Sequence, residues 1–173
     1  RGVFKAPANV SLSNVIRPTA KIGNEQQADL NVHPTGKSIN VIRSFSDKGI
    51  LVWGARTLDG NSNEWRYISV RRLFIFLEES ISKAVERFVF EANTQNTWVS
   101  VKGTIENFLT TQWQAGALAG TTAQQAFFVN VGLGVTMTAQ DILEGRLIID
   151  VGVAAVRPAE FIILRFSHKL QEA

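Results

Sequence analysis

Between residues 70 and 88 apolar side chains recur at three- and four-residue intervals: Val70, Leu73, Phe74, Leu77, Ile81, Ala84, Val85 and Phe88. That spacing places them on one stripe of an α-helix. Glu79 and Lys83 fall four apart on the polar side. Phe76 lies off the stripe, so the helix is expected to touch something on a second face. The pattern returns at Trp98, Val101, Ile105, Phe108 and Leu109, then fades near Gly116. Asn96 or Thr97 is placed to cap this second helix.

Elsewhere the pattern changes to short apolar runs. Ile39–Phe45 and Gly49–Thr57 read as strands joined by a turn at Ser46-Asp47-Lys48-Gly49, and Leu58–Glu64 as a polar loop. Ala126–Val131 reads as a short strand and Arg146–Val156 as a long one. Between them, Thr138-Ala139-Gln140-Asp141 has the form of a capping box before a one-turn helix that stops at Gly145. Residues 1–38 are irregular, punctuated by Pro7, Pro18 and Pro34, with one short helix around Gly23–Leu30. Strands, then two long helices, then strands predict an α+β domain: a small mixed sheet with the two helices packed on it.

The tail, Phe161–Leu170, alternates. Ile162, Leu164 and Phe166 point one way; Arg165, Ser167 and Lys169 point the other. A terminal strand with one apolar face has to join a sheet, in its own chain or in a neighbour. Burying those three apolar side chains would contribute about 5–8 kcal/mol before ordering costs. This is the signature of an assembly protein rather than an enzyme.

Composition narrows the classes. The chain has 173 residues, 45% hydrophobic and 19% charged, which fits one folded domain and argues against disorder. It has no Cys, which excludes disulfides and thiolate metal sites. A net charge of +3, with no basic cluster longer than Arg71-Arg72, does not point to nucleic acid. No apolar run approaches the ~20 residues of a membrane span, and no signal peptide is visible. The chain opens on Arg1 and its only Met is Met137, so it reads as part of a longer chain or a processed product.

Candidate chemistry is sparse. Gly36-Lys37-Ser38 resembles the end of a phosphate loop, but Asn31 stands where that loop needs Gly and a strand follows; a turn is the better reading. Gly132-Leu133-Gly134 lacks a third Gly and reads as a loop. Glu78 and Glu79 sit on a helix rim, Asp141 caps, and Asp150 interrupts an apolar strand on a face open to solvent or to a partner. His33 and His168 lie far apart, and no Ser, His and Asp are placed as a nucleophilic set. Trp53, Trp65, Trp98 and Trp113 read as packing residues. No catalytic, cofactor or metal site is assigned. A peptide-binding module whose sheet edge accepts a strand stays open as an alternative.

Five segments occur in a familiar order: Arg1-Gly2-Val3-Phe4-Lys5-Ala6-Pro7-Ala8-Asn9, Ile39-Asn40-Val41-Ile42-Arg43, Val52-Trp53-Gly54-Ala55-Arg56-Thr57-Leu58, Trp65-Arg66-Tyr67-Ile68-Ser69-Val70-Arg71-Arg72-Leu73 and Arg157-Pro158-Ala159-Glu160-Phe161-Ile162. Together they resemble the C-terminal domain of contractile tail sheath proteins of phages, phage-tail-like bacteriocins and extracellular contractile injection systems. The resemblance covers nearly the whole chain. It implies that residues 1–173 form the single inner, tube-proximal domain, without the upstream N-terminal arm and outer domains.

It implies a non-enzymatic subunit that stacks in six-fold rings around an inner tube and contracts to drive that tube through a target membrane. Its partners would be neighbouring sheath subunits, the tube, and baseplate and terminator proteins, with no nucleic acid, no cofactor and no membrane insertion of its own. Assembly would occur in the bacterial cytoplasm, as part of a phage tail or a released particle. The C-terminal arm that links one subunit to the next would be Phe161, Ile162, Ile163, Leu164, Arg165, Phe166, Ser167, His168 and Lys169. The recipient sheet of a neighbour would offer Leu147, Ile149, Val151 and Val153. Charge on the long helices makes Lys83, Arg87, Lys102 and Glu106 the tube-facing candidates.

Overall fold

The computed structural model describes residues 2–165. The long helices form where the stripes predict them: α2 spans Ile68–Val85 and α3 spans Gln95–Gln114. Five strands and three short helices complete the chain: β1 (Val10–Ser11), α1 (Asn24–Asn31), β2 (Val41–Phe45), β3 (Gly49–Trp53), α4 (Ala123–Ala126), β4 (Phe127–Val131), α5 (Ala139–Leu143) and β5 (Ile149–Val153).

The apolar stripes meet in the core. Leu73 and Leu77 of α2 pack with Val101, Ile105 and Leu109 of α3, and with Ala117, Leu118, Ala126 and Val129. Leu73, Val101 and Leu109 have no exposed surface. Phe76, off the stripe, reaches Phe108 with ring centroids 6.0 Å apart. α2 ends at Val85 and tightens into a 3₁₀ turn at Glu86–Phe88, a usual way to close a helix. The cap of α3 falls earlier than expected. Thr94, not Asn96 or Thr97, occupies the N-cap position, while the Thr97 hydroxyl donates back to the Ala92 carbonyl at 2.7 Å.

The α+β architecture is present with its strands in two antiparallel sheets. One has the order β1-β3-β2, with the short strand β1 not foreseen from the pattern; the other pairs β4 with β5. β4 and β5 lie against the helical core, Val129 opposite Val151. The long strand expected over Arg146–Val156 shortens to Ile149–Val153 because side chains take the carbonyls at its N-terminal end. Asn93 donates to the Arg146 carbonyl at 3.0 Å and Thr136 to the Ile148 carbonyl at 2.7 Å. Beyond Val153 the chain turns to pair with 117–119 instead, through Ala119 N–H to the Ala154 carbonyl at 2.7 Å. The capping box is as read: Asp141 N–H donates to the Thr138 hydroxyl, and Thr138 N–H to the Asp141 carboxylate.

β2 and β3 are shorter than expected for a related reason. Asn40 does not pair as a strand residue. Its side chain both accepts from Arg56 N–H (3.0 Å) and donates to the Arg56 carbonyl (2.8 Å), standing in for a strand partner. Gly54 has φ +150°, and a Cβ there would lie 2.6 Å from Asn40 Oδ1 and 2.9 Å from Asn40 Cα. Gly54→Ala is therefore expected to cost about 2–4 kcal/mol, combining backbone strain with overpacking. Denaturant unfolding of the purified variant would measure it.

Candidate functional site

Two features stand out, and both lie where the chain leaves its own sheets. The first is the outer edge of β5. Ala154 N–H donates to the Ala126 carbonyl at 2.8 Å, and Asp150 and Gly152 lie opposite Asn130 and Phe128. Bonding alternates along an antiparallel strand. The even-numbered residues therefore bond to β4, and the main-chain groups of Ile149, Val151 and Val153 face away from it. Among the described residues no strand pairs along that edge. The side chains of these same three residues, with Leu147, turn inward onto the core. Leu147 lies outside the strand itself. On the other face Phe128 lies across Gly152, where any Cβ would meet its ring at 2.1 Å. Asp150 is exposed on that face.

The second feature is the segment that follows Val156. Among the described residues Val156 N–H makes the last main-chain bond, to the Ala117 carbonyl at 3.2 Å. Phe161–Arg165 form no strand within this chain, so the expected tail strand is absent there as an intramolecular element. Phe161, Ile162, Ile163 and Leu164 are 66–82% exposed. A short apolar segment with no sheet of its own to join stays unpaired, because a single strand cannot satisfy its backbone alone. Phe166, Ser167, His168 and Lys169 lie outside the described residues.

At the root of this arm sits a cluster that the sequence pattern does not announce. The Glu160 carboxylate accepts from Arg56 Nε (2.9 and 3.1 Å) and Nη2 (2.8 Å), from Asn31 Nδ2 (2.8 Å) and from the Tyr67 hydroxyl (3.1 Å). Arg56 is 4% exposed and Glu160 17%. The remaining guanidinium nitrogen donates to the carbonyls of Gly60 (3.1 Å) and Asn31 (3.4 Å). Each contributor comes from a different element: Asn31 from the end of α1, Arg56 from the bend after β3, Tyr67 from the N-cap of α2. Burial alone would raise the Glu160 carboxyl. The hydrogen bonds from Arg56 and Asn31, the Arg56 charge and the Tyr67 hydroxyl outweigh it and hold the group below its ordinary value of 4.5. The one signal in the residues is that each is a lone charge inside an apolar run, and buried charges of opposite sign find each other.

The proposed tube-facing residues do not gather. Lys83 pairs with Glu79 at 2.8 Å and Lys102 with Glu106 at 3.8 Å, all well exposed. Arg87 donates to the Thr104 hydroxyl at 2.8 Å. On α3, Lys102 and Thr104 stand about 200° apart, so Arg87 and the Lys102–Glu106 pair occupy different flanks. The tryptophans pack: Trp98 is buried, Trp53 lies against Phe45 with tilted rings 4.7 Å apart and Trp65 meets Phe74 edge-on at 5.0 Å. Gly36 closes a turn, its N–H donating to the His33 carbonyl at 2.9 Å, and after it the Ser38 hydroxyl donates to the Asn31 carbonyl. Among the described residues no three His, Cys, Asp or Glu side chains gather as metal ligands, and no helix is long and apolar enough to cross a membrane.

The chain is a member of the phage tail sheath C-terminal domain family, whose model matches residues 61–169. It is similar to a chain of the anti-feeding prophage baseplate, six-fold symmetrised, at 54% identity and TM-score 0.90, covering 98% of this chain and 46% of that one. It is similar to the sheath of an extracellular contractile injection system, PVC, in the contracted state, at 48% identity and TM-score 0.93, covering 98% and 47%. The tail sheath protein of Vibrio phage KVP40 is 35% identical over 72 residues, 42% of this chain and 11% of that protein. The chain thus spans about half the length of the matched chains in these assemblies.

Proposed function

We propose that this chain is the inner, tube-proximal domain of a contractile sheath protein. It polymerises as stacked rings of six around an inner tube and contracts to drive the tube through a target membrane. It performs no catalytic step. Its partners are neighbouring sheath subunits, the tube, and baseplate and terminator proteins. It assembles in the bacterial cytoplasm into a phage tail or a released tail-like particle. Family membership, and likeness to chains from a six-fold baseplate and a contracted sheath, support this reading.

The observation that carries it is the pairing of an open acceptor with an unpaired donor. The outward main-chain groups of Ile149, Val151 and Val153 are the acceptor edge, beside Leu147. The apolar segment beginning at Phe161 is the donor, and its nine residues to Lys169 reach about 30 Å when extended. Lys83, Arg87, Lys102 and Glu106 are the proposed tube-facing charges, contributed from two flanks of the helical pair.

Val151→Pro tests the edge directly. It removes an outward N–H and places a ring where an added strand would lie, while sparing the bonds to β4. The full-length variant is expected to fold, by circular dichroism, but to form no tubes in negative-stain electron micrographs. Tubes like those of the wild type would reject the β5 edge as the acceptor. A wild-type protein that stays monodisperse at high concentration would instead favour a strand-accepting binding module with no motor role.

A further inference from the structure

After Val156, every hydrogen bond that the described residues make to the body of the domain passes through one side chain. Arg157 to Arg165 make no main-chain bond to it. All five side-chain bonds end on the Glu160 carboxylate. Arg157 and Ala159 are exposed, and Pro158 has no N–H to offer. Without Glu160, residues 157–165 would be held to the body by no hydrogen bond beyond Val156. With it, the arm leaves the body at one fixed point, in one direction.

The fixed point is itself rigidly held. Arg56 is clasped on its main chain by Asn40 and bridged to Tyr67 across an antiparallel pair. Its guanidinium joins the end of α1, the Gly60 loop and the arm root. A planar fork against a carboxylate fixes orientation as well as position.

We propose that the Arg56–Glu160 clamp, with Asn31 and Tyr67, is the mechanical pivot of the C-terminal arm. It sets where and in which direction the arm departs, and it passes tension on the arm into the β1-β3-β2 sheet and α1 rather than into the β5 end. The arm beyond Phe161 changes direction as subunits move; the root does not. This deepens the proposed sheath function, and the transmission of tension rests on it.

The test uses the full-length protein with Glu160→Gln, which keeps the size of the side chain and removes its charge, and Arg56→Lys, which keeps the charge and removes the fork. In the unassembled protein, NMR backbone order parameters across residues 157–162 are expected to fall from rigid-backbone values of about 0.85 to below about 0.6 in both variants, while α3 keeps wild-type values. Unchanged order at the root overturns the pivot. In assembled particles, both variants are expected to form tubes, since the arm and the β5 edge are intact, but to yield broken or shortened sheaths after contraction. Sheaths that contract whole, with wild-type length, overturn the transmission of tension even where the root has loosened. If the wild type forms no tubes, the sheath function fails and the transmission of tension with it. The order parameters then still decide whether Glu160 anchors the segment.

Discussion

Deleting the full-length chain from Phe161 onward is expected to abolish tube formation while changing the stability of the domain by no more than about 0.5 kcal/mol. The two halves of this outcome have separate causes. Phe161, Ile162, Ile163 and Leu164 are 66–82% exposed, and no hydrogen bond ties Phe161–Arg165 to the body. Removing side chains that bury little removes little folding free energy. In the proposed lattice the same side chains would have a sheet to join. Each apolar side chain buried there contributes about 1.5–3 kcal/mol, and ordering costs about 1–2 kcal/mol per residue of backbone. The main-chain bonds of an added strand offset much of that cost. If every subunit donates one arm, as proposed, the loss is repeated at each junction of the lattice. Electron microscopy with parallel denaturant unfolding would measure both halves. A truncated protein that still forms tubes would show that the sheath coheres through surfaces other than the arm.

The cut must fall after Glu160. A truncation before Pro158 removes the Glu160 carboxylate as well and leaves the Arg56 guanidinium buried without its partner. That deletion would destabilise the domain and confuse loss of the arm with loss of fold.

Much of this is legible in the residues. The two helical stripes give α2 and α3 within a few positions, because a stripe at 3.6-residue spacing is long and redundant. The Thr138–Asp141 box is readable because it is local chemistry. Strand ends are less legible: β5 begins only at Ile149 because Asn93 and Thr136 side chains take the preceding carbonyls that a ladder would use. Those competitors lie 53 and 12 residues away in sequence. β1 is two residues long and carries no pattern of its own. The division into two sheets is equally hidden, since periodicity reports a strand's faces and not its neighbours. The apolar residues Phe161–Leu164 are visible in the sequence. The clamp beside them is not, because Arg56 and Glu160 are 104 residues apart and only folding brings them together.

Arg56→Ala is expected to cost about 3–5 kcal/mol near neutral pH, the range for breaking a buried pair from one side. The variant strands the Glu160 carboxylate, which is 17% exposed, and leaves the Gly60 carbonyl without its guanidinium donor. The dependence on pH separates this cause from simple loss of packing. In the wild type the Glu160 value is held below 4.5. Its contribution to stability is therefore complete above about 4.5 and is lost as pH falls through the lower folded-state value. In Arg56→Ala the Arg56 hydrogen bonds and charge are gone while those from Asn31 and Tyr67 remain, so the carboxyl is held down less than in the wild type. The wild type therefore loses more stability than the variant as pH falls below the unfolded value. The stability gap between wild type and variant is thus expected to narrow as pH falls below about 4.5. Urea unfolding across that range would follow it. A gap that stays constant with pH would mean that Arg56 acts through packing and its bonds to carbonyls, not through its charge on Glu160.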